Sequence, residues 1–314
     1  MRARLEWWHY VAIAFLFLQI TLFLIPQTRP GEFGRICWLL GANRLIWRGI
    51  AFLFLLCVVG WSAWHRPLWN WWRLAGVAII SLLAISPFVF RVYPSSYDDR
   101  PSEIHFRVPM DGAIYVSSGG TTPDKNHHVD SPAERWAYDL LVIKDGEGPR
   151  DDGVELEDHY SYGKPVLAPV DGVVQATYIG ALDMPVHMLG GTPECGNHIN
   201  IEVAKNQFLF LCHLKPGSIL VKMGDRITQG QIIARIGNSG NTSGPHLHIH
   251  LQNTPDIFEG EGIPLYFHNY RVGDKIVERG IPMGFHGQRG EWSGQIIKHE
   301  QVCGSGLAIT HFSL

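Results

Sequence analysis

Three long runs without a charged residue lie in the first third of the chain and limit what it can fold into. They are 19, 17 and 17 residues long, and Trp residues cluster at their ends. Because a helix rises about 1.5 Å per residue, each run can cross about 30 Å of hydrocarbon, and interfacial Trp is typical of such spans. We therefore predict three transmembrane helices, at about 10–28, 47–65 and 74–92, within a membrane region of residues 1–97.

The charge of the chain is divided unevenly. The first 97 residues contain nine Arg, two Glu and no Lys, whereas the whole chain has a formal charge of −3, so the remainder is acidic. Nucleic-acid binding needs clustered Lys and Arg on the folded domain, and we expect no nucleic-acid partner. An inside N-terminus would leave four Arg in the cytoplasm and five outside. The positive-inside rule therefore does not fix the orientation.

Short apolar runs broken by Gly, Pro, Asn and Asp make up the chain from about residue 98. Such runs are typical of strands separated by turns, and the Asp171-Gly172 pair between two of them indicates a hairpin. We predict an all-β antiparallel domain, a sandwich or open barrel, over residues 98–270. Residues 271–314 are predicted to form a β extension packed on that domain.

The five cysteines do not settle the compartment. Cys37 and Cys57 lie in or near the apolar runs, and Cys195, Cys212 and Cys303 are widely spaced with no C-x-x-C pair. A cysteine zinc cage is therefore not expected. A Cys195–Cys303 disulfide would fit an exported domain, but the sequence leaves this pairing open.

Three histidines alternate in the stretch GNTSGPHLHIHLQN. His246, His248 and His250 would lie on one face of a strand, because successive side chains point to opposite faces. They could be the polar face of an ordinary strand, or they could bind a metal and take part in catalysis. The small residues of the preceding loop, residues 239–245, would let a ligand approach the backbone closely.

The stretch GNSGNTSGPHLHIHLQ, together with LCHL, KPVLAPVDGVV and VKMGDRITQGQIIARIG, resembles the lysostaphin/LytM-like zinc endopeptidases, which cut peptidoglycan cross-bridges. The resemblance covers about residues 105–255. It implies the all-β fold of that family, one zinc ion per chain, and zinc ligands at Asp139 and His248. It also implies that two further histidines flank the scissile carbonyl, with His246 as general base and His213 stabilising the oxyanion.

One position departs from the pattern of this family. The first zinc ligand should lie four residues before Asp139, where this chain has Arg135. Arginine cannot ligate zinc, because its guanidinium stays protonated and offers no lone pair. The resemblance to relatives with an N-x-H phrase before an aromatic-rich strand implies that His128 supplies the ligand, with His127 as the alternative. His250 falls where the family has a residue that is not a ligand.

The resemblance therefore predicts a zinc endopeptidase that hydrolyses the peptide cross-links of peptidoglycan. The alternative is an inactive scaffold that has lost zinc and that binds and regulates cell-wall hydrolases. The expected partners are the stem peptides or cross-bridges of peptidoglycan, the lipid bilayer through three spans, and an envelope regulatory partner. A peptidoglycan substrate would place the catalytic domain on the periplasmic or extracellular side of a bacterial cytoplasmic membrane, which requires an inside N-terminus.

Overall fold

The computed structural model divides the chain into two compact units, Met1–Ser96 and Tyr97–Leu314. This division lies next to the predicted boundary at residue 97. The structure describes residues 7–28, 31–42, 44–65, 76, 92–145, 149, 153–284 and 295–299.

The first unit is helical in its described part, with α1 at Trp7–Thr28, α2 at Glu32–Ala42 and α3 at Arg44–His65. Among the described residues, α1 is long and apolar enough to cross a membrane, and α2 with α3 passes the same test as a pair bent by 50°. The predicted span at 47–65 lies within α3. The predicted span at 74–92 lies almost wholly outside the described residues.

The helix α2 was not predicted, because its charged residues interrupt the apolar pattern. Glu32 lies in its first turn, and Arg35 Nη2 lies 2.8 Å from Glu32 Oε1. An ion pair at this i,i+3 spacing, with the acidic residue at the helix N-terminus, favours the helix.

The second unit is all-β in its described part, which confirms the predicted class. Its strands are β1 Ile114–Ser118, β2 Tyr138–Val142, β3 Pro165–Leu167, β4 Gly172–Tyr178, β5 Asn197–Ala204, β6 Gln207–Leu214, β7 Arg226–Ile227, β8 Ile232–Arg235, β9 Leu247–Gln252, β10 Phe267–Val272, β11 Lys275–Gly280 and β12 Ile296–His299. Within the described residues, ten strands form one antiparallel sheet in the order β11-β10-β12-β1-β2-β9-β6-β5-β4-β7. The strands β3 and β8 form a separate two-stranded sheet. The arrangement is thus one large open sheet with a small second one, where a sandwich or open barrel was predicted.

The predicted hairpin at Asp171-Gly172 is wrong. The strand before this pair, β3, joins β8, whereas the strand after it, β4, pairs with β5 and β7. Gly172 is required at this turn for a different reason: a Cβ there would lie 2.9 Å from the carbonyl oxygen of Glu202 on β5. The Asp-Gly pair therefore moves the chain from one sheet to the other.

The central strand β9 separates the core from a polar face. Its residues Leu247, Ile249 and Leu251 are fully buried in the main apolar core of the domain. The alternate residues, His248 and His250 among them, point to the opposite face of the sheet. This face is also nearly closed to solvent, because both side chains are at most 3% exposed.

A disulfide joins Cys195 to Cys212, which corrects the Cys195–Cys303 pairing considered from the sequence. Cys195 lies just before β5, and its carbonyl accepts a hydrogen bond from the backbone N–H of His213 on β6. The backbone pairing of these two segments brings the sulfur atoms together. Cys303 lies outside the described residues.

The predicted extension at residues 271–314 continues the same sheet in its described part. The strand β10 crosses the boundary proposed at residue 270, and both β11 and β12 pair with it. The strand β12 also pairs with β1. Strands from this region therefore extend the sheet beyond β1, on the side away from β9.

Candidate metal centre

The centre of the polar face is a pair of residues on neighbouring strands. Asp139 on β2 and His248 on β9 are register partners. The carboxylate Oδ1 of Asp139 lies 3.0 Å from Nδ1 of His248. Both side chains are buried, and a buried carboxylate needs a charged or hydrogen-bonding partner. The sheet register therefore brings together the two residues that the sequence assigned as ligands.

His127 and His128 approach the same carboxylate from a 3₁₀ turn at His127–Asp130. The Nε2 atom of His127 lies 3.5 Å from Asp139 Oδ2, and that of His128 lies 3.7 Å from it. The two differ in exposure, since 46% of the His127 side chain is exposed and only 11% of the His128 side chain. The chain thus returns to the site before β2 begins.

Asn126 fixes the orientation of the His128 imidazole. Its Nδ2 donates to the carbonyls of Gly120 and Ala137, so its Oδ1 must face the other way. That oxygen accepts hydrogen bonds from the backbone N–H of His128 at 3.0 Å and from its Nδ1 at 3.1 Å. Because Nδ1 carries the proton, the lone pair of a neutral His128 is on Nε2 and faces Asp139. Histidines that bind metals are commonly held in this way.

His246 ends the loop of small residues and faces the carboxylate from a third direction. Its Nδ1 lies 2.8 Å from the carbonyl oxygen of Gly244, to which it can only donate. Its Nε2 lies 3.4 Å from Oδ1 of Asp139. A neutral His246 therefore also turns its lone pair toward Asp139.

His213 reaches the site because β6 contains a bulge. Between its paired residues Leu211 and Leu214, β6 has one residue more than the facing part of β5, and His213 has φ +60°. A bulge of this kind changes the direction of a side chain within a strand. The His213 ring lies 4.8 Å from that of His246, and its Nδ1 is 2.8 Å from the carbonyl oxygen of Ser239.

Charge and burial act in opposite directions at these groups. Burial alone would raise the pKa of Asp139, but the nearby His128 and His246 lower it well below its usual range. Burial lowers the pKa of His128 and of His213 well below the usual value. Burial also opposes protonation of His248, but its hydrogen bond to Asp139 and the charge of Glu134 raise its pKa. A divalent cation prefers an ionised carboxylate beside neutral imidazoles, so a cation bound here would displace the proton that His248 shares with Asp139.

The distances between these donor atoms are close to those around a zinc ion, and the two that join proposed ligands, from Asp139 to His248 and to His128, fall just outside the ideal range. Zinc bonds of about 2.0–2.2 Å in a tetrahedron separate neighbouring ligand atoms by about 3.3–3.6 Å. The distances from the Asp139 oxygens are 3.0 Å to His248 Nδ1, 3.4 Å to His246 Nε2 and 3.7 Å to His128 Nε2. The lone pairs of His128 and His246 face a carboxylate with no proton between them. Such a cluster of acceptors is stabilised by a cation.

Arg135, at the expected position of the first ligand, makes other contacts. Its guanidinium lies over the ring of Trp136 at 4.2 Å, donates to the carbonyl of Thr121, and has Asp98 at 3.7 Å. Its neighbour Glu134 was not singled out from the sequence. The Oε1 atom of Glu134 lies 3.3 Å from His248 Nε2. No spacing pattern would have revealed Glu134, because it lies in an irregular turn before β2.

His250 lies behind the site, next to His248 on the same face of β9. Its Nδ1 is 3.0 Å from His248 Nε2, and its ring stacks on Phe210 at 5.0 Å. Cys212, His248 and His250 form a cluster with metal-binding side chains. Because Cys212 is bonded to Cys195, its sulfur is not available as a thiolate ligand. His250 therefore contacts a proposed ligand without reaching the centre itself.

Residues 150–261 match the family "Peptidase family M23". The chain contains a peptidase family M23 domain. The matched part includes His213, His246 and His248 and leaves out Asp139 and His128. The matched part is similar to a family of peptidases, a class of hydrolases.

Two curated relatives match part of the chain. The peptidoglycan DD-endopeptidases ShyA and ShyC of Vibrio cholerae are 35% identical over 89 residues and 33% identical over 86 residues. These matches cover 28% and 27% of this chain. The chain spans only 17% of the length of either relative.

Solved structures similar to this chain include M23 proteins. The catalytic domain of a point mutant of the prophage-encoded M23 protein EnpA from Enterococcus faecalis is 22% identical with a TM-score of 0.33, covering 50% of this chain and 93% of that one. A zinc-containing peptidase from Vibrio cholerae is 24% identical with a TM-score of 0.32, covering 52% and 41%.

Proposed function

We propose that this chain is a membrane-anchored zinc endopeptidase that hydrolyses peptide cross-links of bacterial peptidoglycan. The observation that carries the proposal is that Asp139 lies 3.0 Å from Nδ1 of His248 and 3.7 Å from Nε2 of His128, with His246 and His213 beside them. The M23 match supports a peptidase, and the activity named for ShyA and ShyC supports peptidoglycan as the substrate class.

His128, Asp139 and His248 would hold one zinc ion per chain, with His127 as the alternative to His128. Three protein ligands leave a fourth position for water or substrate. Zinc, when bound, polarises a peptide carbonyl and lowers the pKa of water at the site to about 7. His246 and His213 would then accept or donate protons during the reaction.

His246 would act as general base. Its Nδ1 donates to the carbonyl of Gly244, so its Nε2 is free to accept a proton from the attacking water. His213 would stabilise the oxyanion that forms on the carbonyl. Because its Nδ1–H is used by the carbonyl of Ser239, it can donate through Nε2 only as the imidazolium. His213 is neutral at rest, because burial lowers its pKa, and would need one proton from solvent before its Nε2 could donate to the oxyanion.

The membrane region would cross the cytoplasmic membrane three times, with the N-terminus inside and the M23 domain in the periplasm or outside the cell. The apolar helix α1 and the bent pair α2 and α3 support an anchor. The Cys195–Cys212 disulfide supports an oxidising compartment for the domain, since disulfides persist mainly outside the cytoplasm.

The test is zinc content and hydrolysis by the full chain purified in detergent. We expect about one zinc per chain, and cleavage of cross-linked peptidoglycan fragments that is lost with a chelator and restored by zinc. His246→Ala should keep zinc and lose about 100- to 10,000-fold in rate, because it removes the general base.

His198→Phe provides the control for that variant. His198 is a partly buried histidine that stacks on Tyr178 and hydrogen-bonds the carbonyl of Gly196, and its replacement should leave the rate unchanged. A full chain that binds no zinc and cleaves nothing, but captures a cell-wall hydrolase in the presence of chelator, would instead establish the scaffold.

A further inference from the structure

Two buried polar side chains and a partly buried one lie behind His248, away from the side that faces Asp139. His250 and Gln252 follow on the same face of β9, and neither has any exposed surface. Glu134 approaches from the turn before β2. A histidine at position 250 and a glutamine at 252 would be unsatisfied in this place unless they bonded to each other or to the chain.

Gln252 has only one amide orientation that satisfies its surroundings. Its Nε2 lies 2.8 Å from the carbonyl oxygen of Thr254 and 2.7 Å from that of Asp256. Carbonyl oxygens only accept, so the nitrogen must be on this side and Oε1 on the other. The Oε1 atom lies 3.2 Å from Nε2 of His250. Gln252 is therefore an acceptor for His250.

The oxygen of Gln252 determines the tautomer of His250. His250 in turn determines the tautomer of His248. Because Gln252 Oε1 accepts, His250 Nε2 carries the proton and its Nδ1 offers a lone pair. That Nδ1 lies 3.0 Å from His248 Nε2, which must then donate. Glu134 Oε1 lies 3.3 Å from the same His248 nitrogen and can only accept when ionised. Both neighbours therefore require a proton on His248 Nε2.

We propose that Gln252 and His250 are positioning residues that hold neutral His248 as its Nε2–H tautomer and so direct the Nδ1 lone pair at the metal. The inference rests on the proposed zinc site, whose carboxylate Asp139 lies 3.0 Å from this Nδ1. Stacking holds the His250 ring in place, with Phe210 at 5.0 Å and Phe258 at 6.4 Å from its centre. Stacking fixes the plane of the ring, and the hydrogen bond to Gln252 decides which nitrogen faces His248.

The test is the zinc dissociation constant of the full chain in detergent, measured by competition with a chelator. His250→Phe keeps the stacked ring and removes the acceptor, and we expect zinc binding about 10- to 100-fold weaker, as for other partners of metal-binding histidines. His250→Asn supplies an amide oxygen at the place of Nδ1 and should restore most of the affinity. The matched control His198→Phe removes a neighbouring histidine and should bind zinc like the unmodified chain.

The outcomes separate this inference from the proposed function. Equal zinc affinity of His250→Phe and the unmodified chain overturns the inference alone. A His250→Asn chain that binds zinc as weakly as His250→Phe overturns it too, since packing rather than the acceptor would then matter. A full chain that binds no zinc overturns the proposed function as well. If circular dichroism shows that metal-free His250→Phe is unfolded, Gln252→Met replaces it as the test. We expect the same 10- to 100-fold loss of zinc affinity in that variant.

Discussion

At the scale of single residues, His127 and His128 both bring an imidazole to Asp139, and their burial and hydrogen bonds indicate which of them would bind zinc. Only His128 is nearly buried and has its Nδ1 held by Asn126. A ligand whose ring is already oriented loses less entropy on binding. We expect His128→Ala to lose the zinc of the full chain, and His127→Ala to retain it, when metal content is measured after dialysis. Loss of zinc only in His127→Ala would assign the ligand to the other histidine.

Arg135 occupies the position where a ligand was expected, which gives a second prediction. Its side chain packs on Trp136 and reaches Thr121 and Asp98, and none of these is a site residue. We expect Arg135→His in a His128→Ala chain to leave the zinc content at zero, because a side chain in this direction does not face Asp139. Recovery of one zinc per chain would show that the turn before β2 can rearrange.

Most residues of the candidate site could be predicted from the sequence, but not all of them. The pattern of alternating histidines predicted His246, His248 and His250 on one face, and the N-x-H phrase pointed to His127 and His128. The part played by Asn126 could be suspected from the same phrase. The approach of Glu134 could not be predicted, because it depends on the path of an irregular turn.

At the scale of elements, the disulfide fastens the start of β5 to the strand that faces His248. Cys212 is the register partner of His248, and Cys195 lies 17 residues earlier in the chain. Closing a loop of this length removes conformational freedom from the unfolded chain, worth about 3 kcal/mol. We expect the double variant Cys195→Ala/Cys212→Ala to lose about 3 kcal/mol in the free energy of unfolding.

The measurement for that variant is urea unfolding of the M23 domain in the metal-free full chain, followed by circular dichroism. The Cys37→Ala variant is the control, since Cys37 is a free cysteine in the helix α2. A double variant as stable as the control would show that the bond contributes nothing measurable to the fold.

The elements also differ in how well the sequence predicts them. The strands β5, β6 and β9 follow from alternation and from the turn at Asn206, where φ is +57°. The hairpin at Asp171-Gly172 was wrong because a local turn pattern does not say which partners the two strands choose. The bulge at His213 could not be predicted for the same reason, since a bulge is defined only by the pairing of β6 with β5.

At the scale of the whole molecule, the proposed membrane anchor makes it important on which side of the membrane the M23 domain would lie. The arginines do not decide it, whereas the disulfide and the proposed substrate both favour the outside. We expect a reporter that is active only outside the cytoplasm to be active when fused after Leu314. Activity of a strictly cytoplasmic reporter at the same position would contradict the proposed orientation and leave the disulfide without an oxidising compartment.

The extra residue in β6 matters for the proposed chemistry of this domain but not for its fold. Deleting His213, one of the two residues between Leu211 and Leu214, would restore regular pairing with β5 and keep the disulfide at Cys212. The imidazole beside His246 would be lost. A single-codon deletion could thus convert a hydrolase into a domain of the same shape without its reaction, and chains that diverge in this way would look alike in every measure of overall structure.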